Sequence, residues 1–370
     1  MENPPVNVFL IETSLQLLNA IEAKNDFKLV NNHLIVRLGE GPQETLKSLV
    51  LEHDWDGVHY FIFSNKTMTF ESALLGQRIS KRIRGYCYDY QQYLNRKMLD
   101  GIAISLGRAE NIFLGNYIGN RKIYDVIYMR HFANTLKHEK LYIMDDGTDI
   151  MQVNEERKNV RLRDESPKGS DSFFLRLKEM YRKYCIDWND KGADRVTFFS
   201  AYDMNVGSND FLIRNEYKYL RKIAAEVNPS DEVFFLGQWL IEDRYIREEY
   251  YLDYLRKVKE YFTGEKLVYI PHPRESSNMI NKIKESLGLE IKQFNVPIEY
   301  EISIKGNIPK VLASFFSSAL QNCHIILGQK VNIKSFYIAP EHLMRAPEFV
   351  QNVYEYYKNI ADENFEVIKL

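Results

Sequence analysis

Short apolar runs rich in β-branched and aromatic residues alternate along this 370-residue chain with longer segments of helical periodicity. Strands joined through helices pair in parallel, so the alternation predicts an α/β fold built from βαβ crossovers. In the first half the runs fall at 6–11, 34–37, 59–63, 111–114, 123–129 and 140–144; in the second, at 232–236, 266–270, 289–292 and 324–327. After the first run, Thr13 or Ser14 can cap a helix through Leu15, Leu18 and Ile21, beside polar Gln16, Asn19 and Glu22. A second helix, predicted over 243–262, mixes dense charge with Tyr245, Tyr250, Tyr251, Tyr254 and Phe262, and should cover one sheet face. The next begins near Ser276.

The length is about twice that of a common single domain, which predicts two. The first is expected over 1–205 and the second over 206–345, with a helical segment at 346–370 crossing back. The turn-like cluster Trp188-Asn189-Asp190-Lys191-Gly192 opens the boundary region. Before it, 154–192 reads as a mobile loop followed by an amphipathic helix at 172–184, in which Phe173, Phe174, Leu175 and Leu177 alternate with Arg176, Lys178, Arg182 and Lys183. Such a helix either packs its stripe on the domain or lies on an anionic inner-membrane surface.

A net charge of −2 argues against a nucleic-acid partner, which requires a Lys/Arg excess. Cys87, Cys185 and Cys323 lie far apart with no CxxC spacing, so neither a zinc site nor a disulfide framework is expected. No signal peptide is read at the N-terminus, and no stretch approaches the roughly 20 apolar residues needed to span a bilayer. A cytoplasmic protein, with peripheral contact to the inner membrane at most, is expected.

Three constellations stand out, two of them where strands should end and the third, Ser317-Ser318, ahead of the run at 324–327. Asp145-Asp146-Gly147 follows the run Leu141-Tyr142-Ile143-Met144, at the edge where open α/β sheets collect ligands. The acids suit a general base, or else cap the next helix. His272 lies between Pro271 and Pro273, which restrict the backbone on both sides and hold the imidazole rigidly. Ser317 and Ser318 form a hydroxyl pair of the kind that binds phosphate with free N–H groups, and equally the kind that merely caps a helix. Two weaker signals lie in the same half. Gly237-Gln238 could line a nucleotide pocket, and Glu299 or Glu301 could accept ribose hydroxyls.

In this order, Asp-Asp-Gly, His-Pro and Ser-Ser resemble the three short motifs of bacterial sialyltransferases with a GT-B fold, which include the family 52 lipooligosaccharide sialyltransferases and the capsular polysialyltransferases. The opening Phe9-Leu10-Ile11-Glu12-Thr13-Ser14-Leu15-Gln16 and the run Phe235-Leu236-Gly237-Gln238 are similar to family 52. Position 14 is Ser where that family often has Pro. The resemblance implies two Rossmann-like domains with parallel sheets facing across a cleft, and CMP-sialic acid as donor. It implies Asp145 or Asp146 as base and His272 as general acid or phosphate contact. Ser317 and Ser318 would hold the phosphate, with Pro273, Gly237, Gln238, Glu299 and Glu301 around the donor and Thr13, Ser14 and Asn116 toward the acceptor.

The implied reaction needs no metal or other cofactor. A single phosphate leaves with CMP, and imidazole and hydroxyls can stabilise its charge while the base takes the proton of the attacking hydroxyl. The acceptor is expected to be a glycan of lipooligosaccharide or capsule. A polysialyltransferase is the nearest alternative, with Arg78, Lys81, Arg82, Arg84 and Lys122 available to hold a polyanion. Transfer from CMP-Kdo, with the same leaving group, is another. A catalytically silent nucleotide-binding protein on the same fold is the non-enzyme alternative.

Overall fold

A computed structural model describes residues 5–38, 44–62, 77–117, 127–147, 149–159, 189 and 191–370. The chain divides into two compact units, Met1–Asn215 and Glu216–Leu370, ten residues beyond the division at 205/206 read from sequence.

The first unit runs β1 (Val6–Ile11), α1 (Ser14–Asp26), β2 (Asn32–Leu38), α2 (Glu44–Leu51), β3 (Gly57–Ile62), α3 (Gln77–Leu106), β4 (Arg108–Leu114), α4 (Ile127–Thr135), β5 (Lys137–Met144), α5 (Asp149–Asn159), β6 (Thr197–Ser200) and β7 (Phe211–Arg214). Its strands lie in the order β3-β2-β1-β4-β5-β6-β7, each pair parallel. A sheet covered on both faces buries consecutive residues, and Asn7 through Ile11 are all buried. Across the middle of the sheet the register aligns Phe9 with Phe113 and Phe113 with Tyr142. Their rings stack at 4.6 and 4.4 Å, each pair adding about 0.5–1.5 kcal/mol beyond its buried area.

The second unit runs α6 (Lys218–Ala225), β8 (Glu232–Leu236), α7 (Glu248–Tyr261), β9 (Lys266–Ile270), α8 (Ser277–Leu287), β10 (Glu290–Ile291), α9 (Ile298–Ser303), β11 (Val311–Ser314), α10 (Ser318–Leu327), β12 (Asn332–Phe336), α11 (Pro347–Ile360) and β13 (Phe365–Ile368). The sheet order is β10-β9-β8-β11-β12-β13, again parallel throughout. Counted from β8 this is the 3-2-1-4-5-6 order of a doubly wound nucleotide-binding sheet. Two parallel-sheet α/β units in one chain are the layout the sequence predicts.

Several elements differ from expectation. The run at 324–327 is the last turn of α10, because its apolar residues pack inside a helix buried along most of its length. Residues 127–129, read as the end of a strand, open α4, and 118–126 lie outside the described residues. The long helix of the second unit starts at Glu248 rather than 243, because the chain before it turns and Ile246 bridges Leu343. The segment after 345 supplies α11 and the edge strand β13 to the second sheet. Of the stretch read as a loop and amphipathic helix, 154–159 belong to α5, while 160–188 lie outside the described residues. Among the described residues no helix is long and apolar enough to cross a membrane.

Candidate active site

On the second sheet, three neighbouring strands deliver the candidates to one edge. β9 ends at Ile270 and leads into His272, β8 ends at Leu236 before Gly237-Gln238, and β11 ends at Ser314 before Ser317-Ser318. β8 and β11 flank the point where the strand order reverses, the crevice where open α/β sheets bind ligands. Gln238 spans it. Its Oε1 accepts from the Phe316 N–H at 3.1 Å and lies 3.4 Å from the Ser314 hydroxyl. Ser317 caps α10, accepting from the Ala319 N–H at 3.4 Å, and its carbonyl accepts from the Tyr357 hydroxyl at 2.7 Å. As a cap the Ser317 hydroxyl uses an oxygen lone pair, so its proton stays available to a ligand. Ser318 is the first helical residue, half-buried beside it.

Nδ1 of His272 accepts from the Arg274 N–H at 3.1 Å, which leaves Nε2 as the donor of the neutral ring. Burial, reinforced by the charge of Arg274 and opposed by Glu242, pushes His272 down to about 4, so the imidazole is neutral at pH 7. Trp239 lies nearly parallel to it, 6.2 Å away, and the Arg274 guanidinium sits 4.7 Å over the Trp239 ring. Pro273 is exposed.

Gly237 is where side chains from below approach the loop. A Cβ there would meet the Tyr269 hydroxyl at 2.3 Å and Glu275 Oε1 at 2.6 Å. Glu275 is buried and accepts from Tyr269 at 2.8 Å. Burial pushes its carboxyl up to about 7, against the Tyr269 hydrogen bond.

Glu299 and Glu301 stand on α9, both buried. Glu299 accepts from Asn322 of α10 at 3.0 Å, and burial raises its pKa. Glu301 accepts from Asn307 and lies 3.8 Å from Lys305. Glu299 thus ties α9 to α10, and Glu301 ties it to the turn that follows at Lys305 and Asn307.

The first unit gathers its own candidates at the ends of β1, β4 and β5. Thr13 caps α1, and its hydroxyl lies 3.4 Å from Asp146 Oδ1. Ser14 follows as the first residue of the helix. The two acids differ sharply. Asp145 is 2% exposed; its Oδ2 accepts from the Ala201 N–H at 2.6 Å and its carbonyl from Asn19 at 3.0 Å. Burial pushes Asp145 up to about 7, against hydrogen bonds from Ser200 and Ala201 and the charge of Arg214. Asp146 is half-buried, and Gly147 after it turns the chain through φ 64°. Asn116 is buried, with its N–H 3.2 Å from the Met129 sulfur.

Sequence reasoning missed several residues here. Gln16, Asn19 and Glu22 are fully buried rather than solvated, and Asn19 joins Asp145 to Asn215, whose amide donates to it at 3.1 Å. Glu12 receives both Arg37 at 2.7 Å and the Tyr128 hydroxyl at 2.9 Å beside the same edge. Trp239 and Glu275 adjoin Gly237-Gln238 and the His-Pro run, and that adjacency was the signal available. Among the described residues, no group of three or more His, Cys, Asp or Glu side chains able to hold a metal comes together. The basic candidates Arg78, Lys81, Arg82 and Arg84 fall on the part of α3 whose side chains are not described, and Lys122 lies outside the described residues.

A family model described as alpha-2,8-polysialyltransferase (POLYST) matches residues 93–334. No curated protein matches the chain. Among solved structures, it is similar to the UDP-GlcNAc 2-epimerase of Methanocaldococcus jannaschii at 9% identity and TM-score 0.46, covering 98% of this chain and 94% of that one. It is also similar to the calicheamicin glycosyltransferase CalG4 at 8% identity and TM-score 0.47, covering 100% and 86%. A third is the heptosyltransferase WaaC of E. coli with ADP, at 11% identity and TM-score 0.40, covering 96% and 98%.

Proposed function

Because the chain belongs to the alpha-2,8-polysialyltransferase family, we propose that it transfers sialic acid from CMP-sialic acid to a hydroxyl of a glycan, with inversion and without a metal. The observation that carries this reading is the convergence of His272, Gly237-Gln238 and Ser317-Ser318 on adjacent strand ends at the switch point of the second sheet. Hydroxyls, a helix N-terminus and a neutral imidazole at the ends of three adjacent strands suit a phosphate that gains charge as the glycosyl bond breaks.

The roles divide by exposure. Asp146, half-buried at the edge of the first sheet, is the base that takes the acceptor's proton; Asp145, enclosed by backbone and Ser200, holds the turn that presents it. His272 offers Nε2–H to the departing phosphate, since Nδ1 is occupied by the Arg274 N–H. Ser317 donates from a hydroxyl already oriented by the Ala319 N–H, and Ser318 stands beside it at the positive end of α10. The acceptor oxygen forms the new bond to the anomeric carbon as the bond to the phosphate oxygen breaks, and CMP leaves with that electron pair.

The family favours the sialylated end of a glycan as acceptor, extended through an α2,8 linkage, over a single addition to a lipooligosaccharide or capsule repeat. The test is CMP release from CMP-sialic acid with EDTA present, using lactose-type and sialylated acceptors, with product length read by chromatography. Transfer that survives EDTA and lengthens the sialylated acceptor supports the proposal. CMP binding without turnover on any acceptor sinks it.

A further inference from the structure

A polar chain runs beneath the second-sheet edge from one side of the crevice to the other. The Phe316 N–H, next to Ser317, donates to Gln238 Oε1 at 3.1 Å. The Gln238 backbone meets the Tyr251 hydroxyl at 3.3 Å, and Tyr251 lies 2.9 Å from the Tyr269 hydroxyl. Tyr269 donates to Glu275 Oε1 at 2.8 Å, and the Glu275 N–H closes on the His272 carbonyl at 2.9 Å. Every link lies within the second unit.

Glu275 is the acid of this chain. It is 8% exposed, and its second oxygen, Oε2, is buried without a hydrogen-bond partner among the described residues. An orphaned buried carboxyl oxygen costs stability, so an apolar residue would serve packing better. Pro271 and Pro273 fix their own φ angles but not the tilt of the loop about the end of β9. Glu275 ties the loop to the strands beside it, its carboxyl under Tyr269 at 2.8 Å and Tyr251 at 3.4 Å and its N–H under the His272 carbonyl at 2.9 Å. The glycine at 237 gives this carboxyl its room.

We propose that Glu275 is a positioning residue for the transfer reaction: by tying the His272 carbonyl to the Tyr269–Tyr251–Gln238 chain, it fixes the imidazole relative to the capped end of α10. The role rests on the reading of His272 as the group that faces the leaving phosphate. The geometry it controls can also be read without any turnover, through the Trp239–His272 contact.

The experiment uses the full chain with Trp55 and Trp188 replaced by phenylalanine, so that Trp239 alone emits and is quenched when His272 protonates against it. Glu275→Ala is expected to shift the midpoint of that titration. It should also lower kcat by on the order of 100-fold, the cost of a misplacement near 1 Å, while KM for the donor changes little. Glu275→Gln, which keeps an oxygen under Tyr269, should restore both readings. Tyr269→Phe, which keeps the ring but removes the hydroxyl, serves if Glu275→Ala does not fold, and should move both readings the same way. A folded variant with the wild-type titration and kcat overturns the role, and so does parallel loss of kcat and KM that Glu275→Gln fails to rescue. If the wild type turns nothing over, the sialyl-transfer reading falls and the catalytic part of the role falls with it, while the titration separately decides whether Glu275 holds the imidazole in place: a shifted midpoint supports that hold and an unshifted one ends it.

Discussion

The Thr13 hydroxyl lies 3.4 Å from Asp146 Oδ1, although 133 positions separate the two residues in sequence. The same hydroxyl accepts the Gln16 N–H at 3.2 Å, so its proton is directed at the acid while its lone pair caps α1. A base braced in this way, on the exposed side of its turn, should dominate over its buried neighbour. Asp146→Asn is expected to lower transfer by about 10²–10⁴-fold. Asp145→Asn, whose amide oxygen can still accept from Ala201, should retain most activity. Rates of CMP release at saturating donor and acceptor decide it, and the opposite ranking would move the base to Asp145.

Burial, with the charge of Arg274 beside it, pushes the His272 imidazole down to about 4 by opposing its charged form. An anionic phosphate placed against Nε2 favours that charged form, so binding CMP should raise the His272 pKa. The shift is measurable from the His272 ring proton signals across a pH series with and without CMP. An unmoved titration under saturating CMP would mean the phosphate lies elsewhere.

The serine pair combines two jobs that substitution can separate. Ser317→Ala removes the cap of α10 and should cost about 0.5–2 kcal/mol of stability as well as donor affinity. Ser318→Ala leaves the cap in place, so its melting temperature should match the wild type while KM for the donor rises. Thermal melts set beside donor titrations test the split; equal melts and equal KM values for both variants would reduce the pair to surface residues.

Asp145 couples stability to pH. Its folded pKa of about 7 lies above the ordinary value of 3.8, so the folded chain keeps a proton that the unfolded chain gives up. The resulting stabilisation is complete below 3.8 and is lost as the pH rises through about 7. Asp145→Asn cannot ionise, so its melting temperature should decline less than that of the wild type between pH 4 and neutrality, by on the order of a few kcal/mol in stability. Glu275 adds a loss of the same sign over the same range, and His272 works in reverse, weakening the fold as pH falls from 6.5 toward 4. Both are present in each protein and drop out of the comparison. Parallel curves would place Asp145 in a wetter setting than its 2% exposure indicates.

The sequence disclosed the strands that end at the candidate site more fully than the rest of either sheet. β1, β8 and β9 match their apolar runs end to end, because a strand buried on both faces reads as a nearly continuous apolar run, broken here only by Asn7, Glu232 and Lys266. The four-residue strands β6, β7, β11 and β13 carry too few residues to show a period, and none was read as a strand. Ile325-Ile326-Leu327 looked like a strand for the complementary reason, since a helix buried along most of its length loses the polar residues that would reveal it. Asp145-Asp146 and His272 could be placed at strand ends from sequence, whereas Ser317-Ser318 could not, because the short β11 before them shows no period. Glu275 and Asn19 could not, because a buried acid and a buried amide resemble surface residues until their partners, Tyr269 and Asp145, are known.

In each sheet the point where the strand order reverses lies between strands that are neighbours in space and distant along the chain. Asn7 of β1 meets Asn111 of β4 across 104 positions, and Leu236 of β8 meets Ser314 of β11 across 78. Closing loops of that length costs entropy before any contact returns it, so these pairings should form late and set the refolding rate. A refolding chain would regain most of its helical signal first. Donor binding should return only with the slowest phase, because the candidate edge of the second sheet forms only once β8 and β11 have paired.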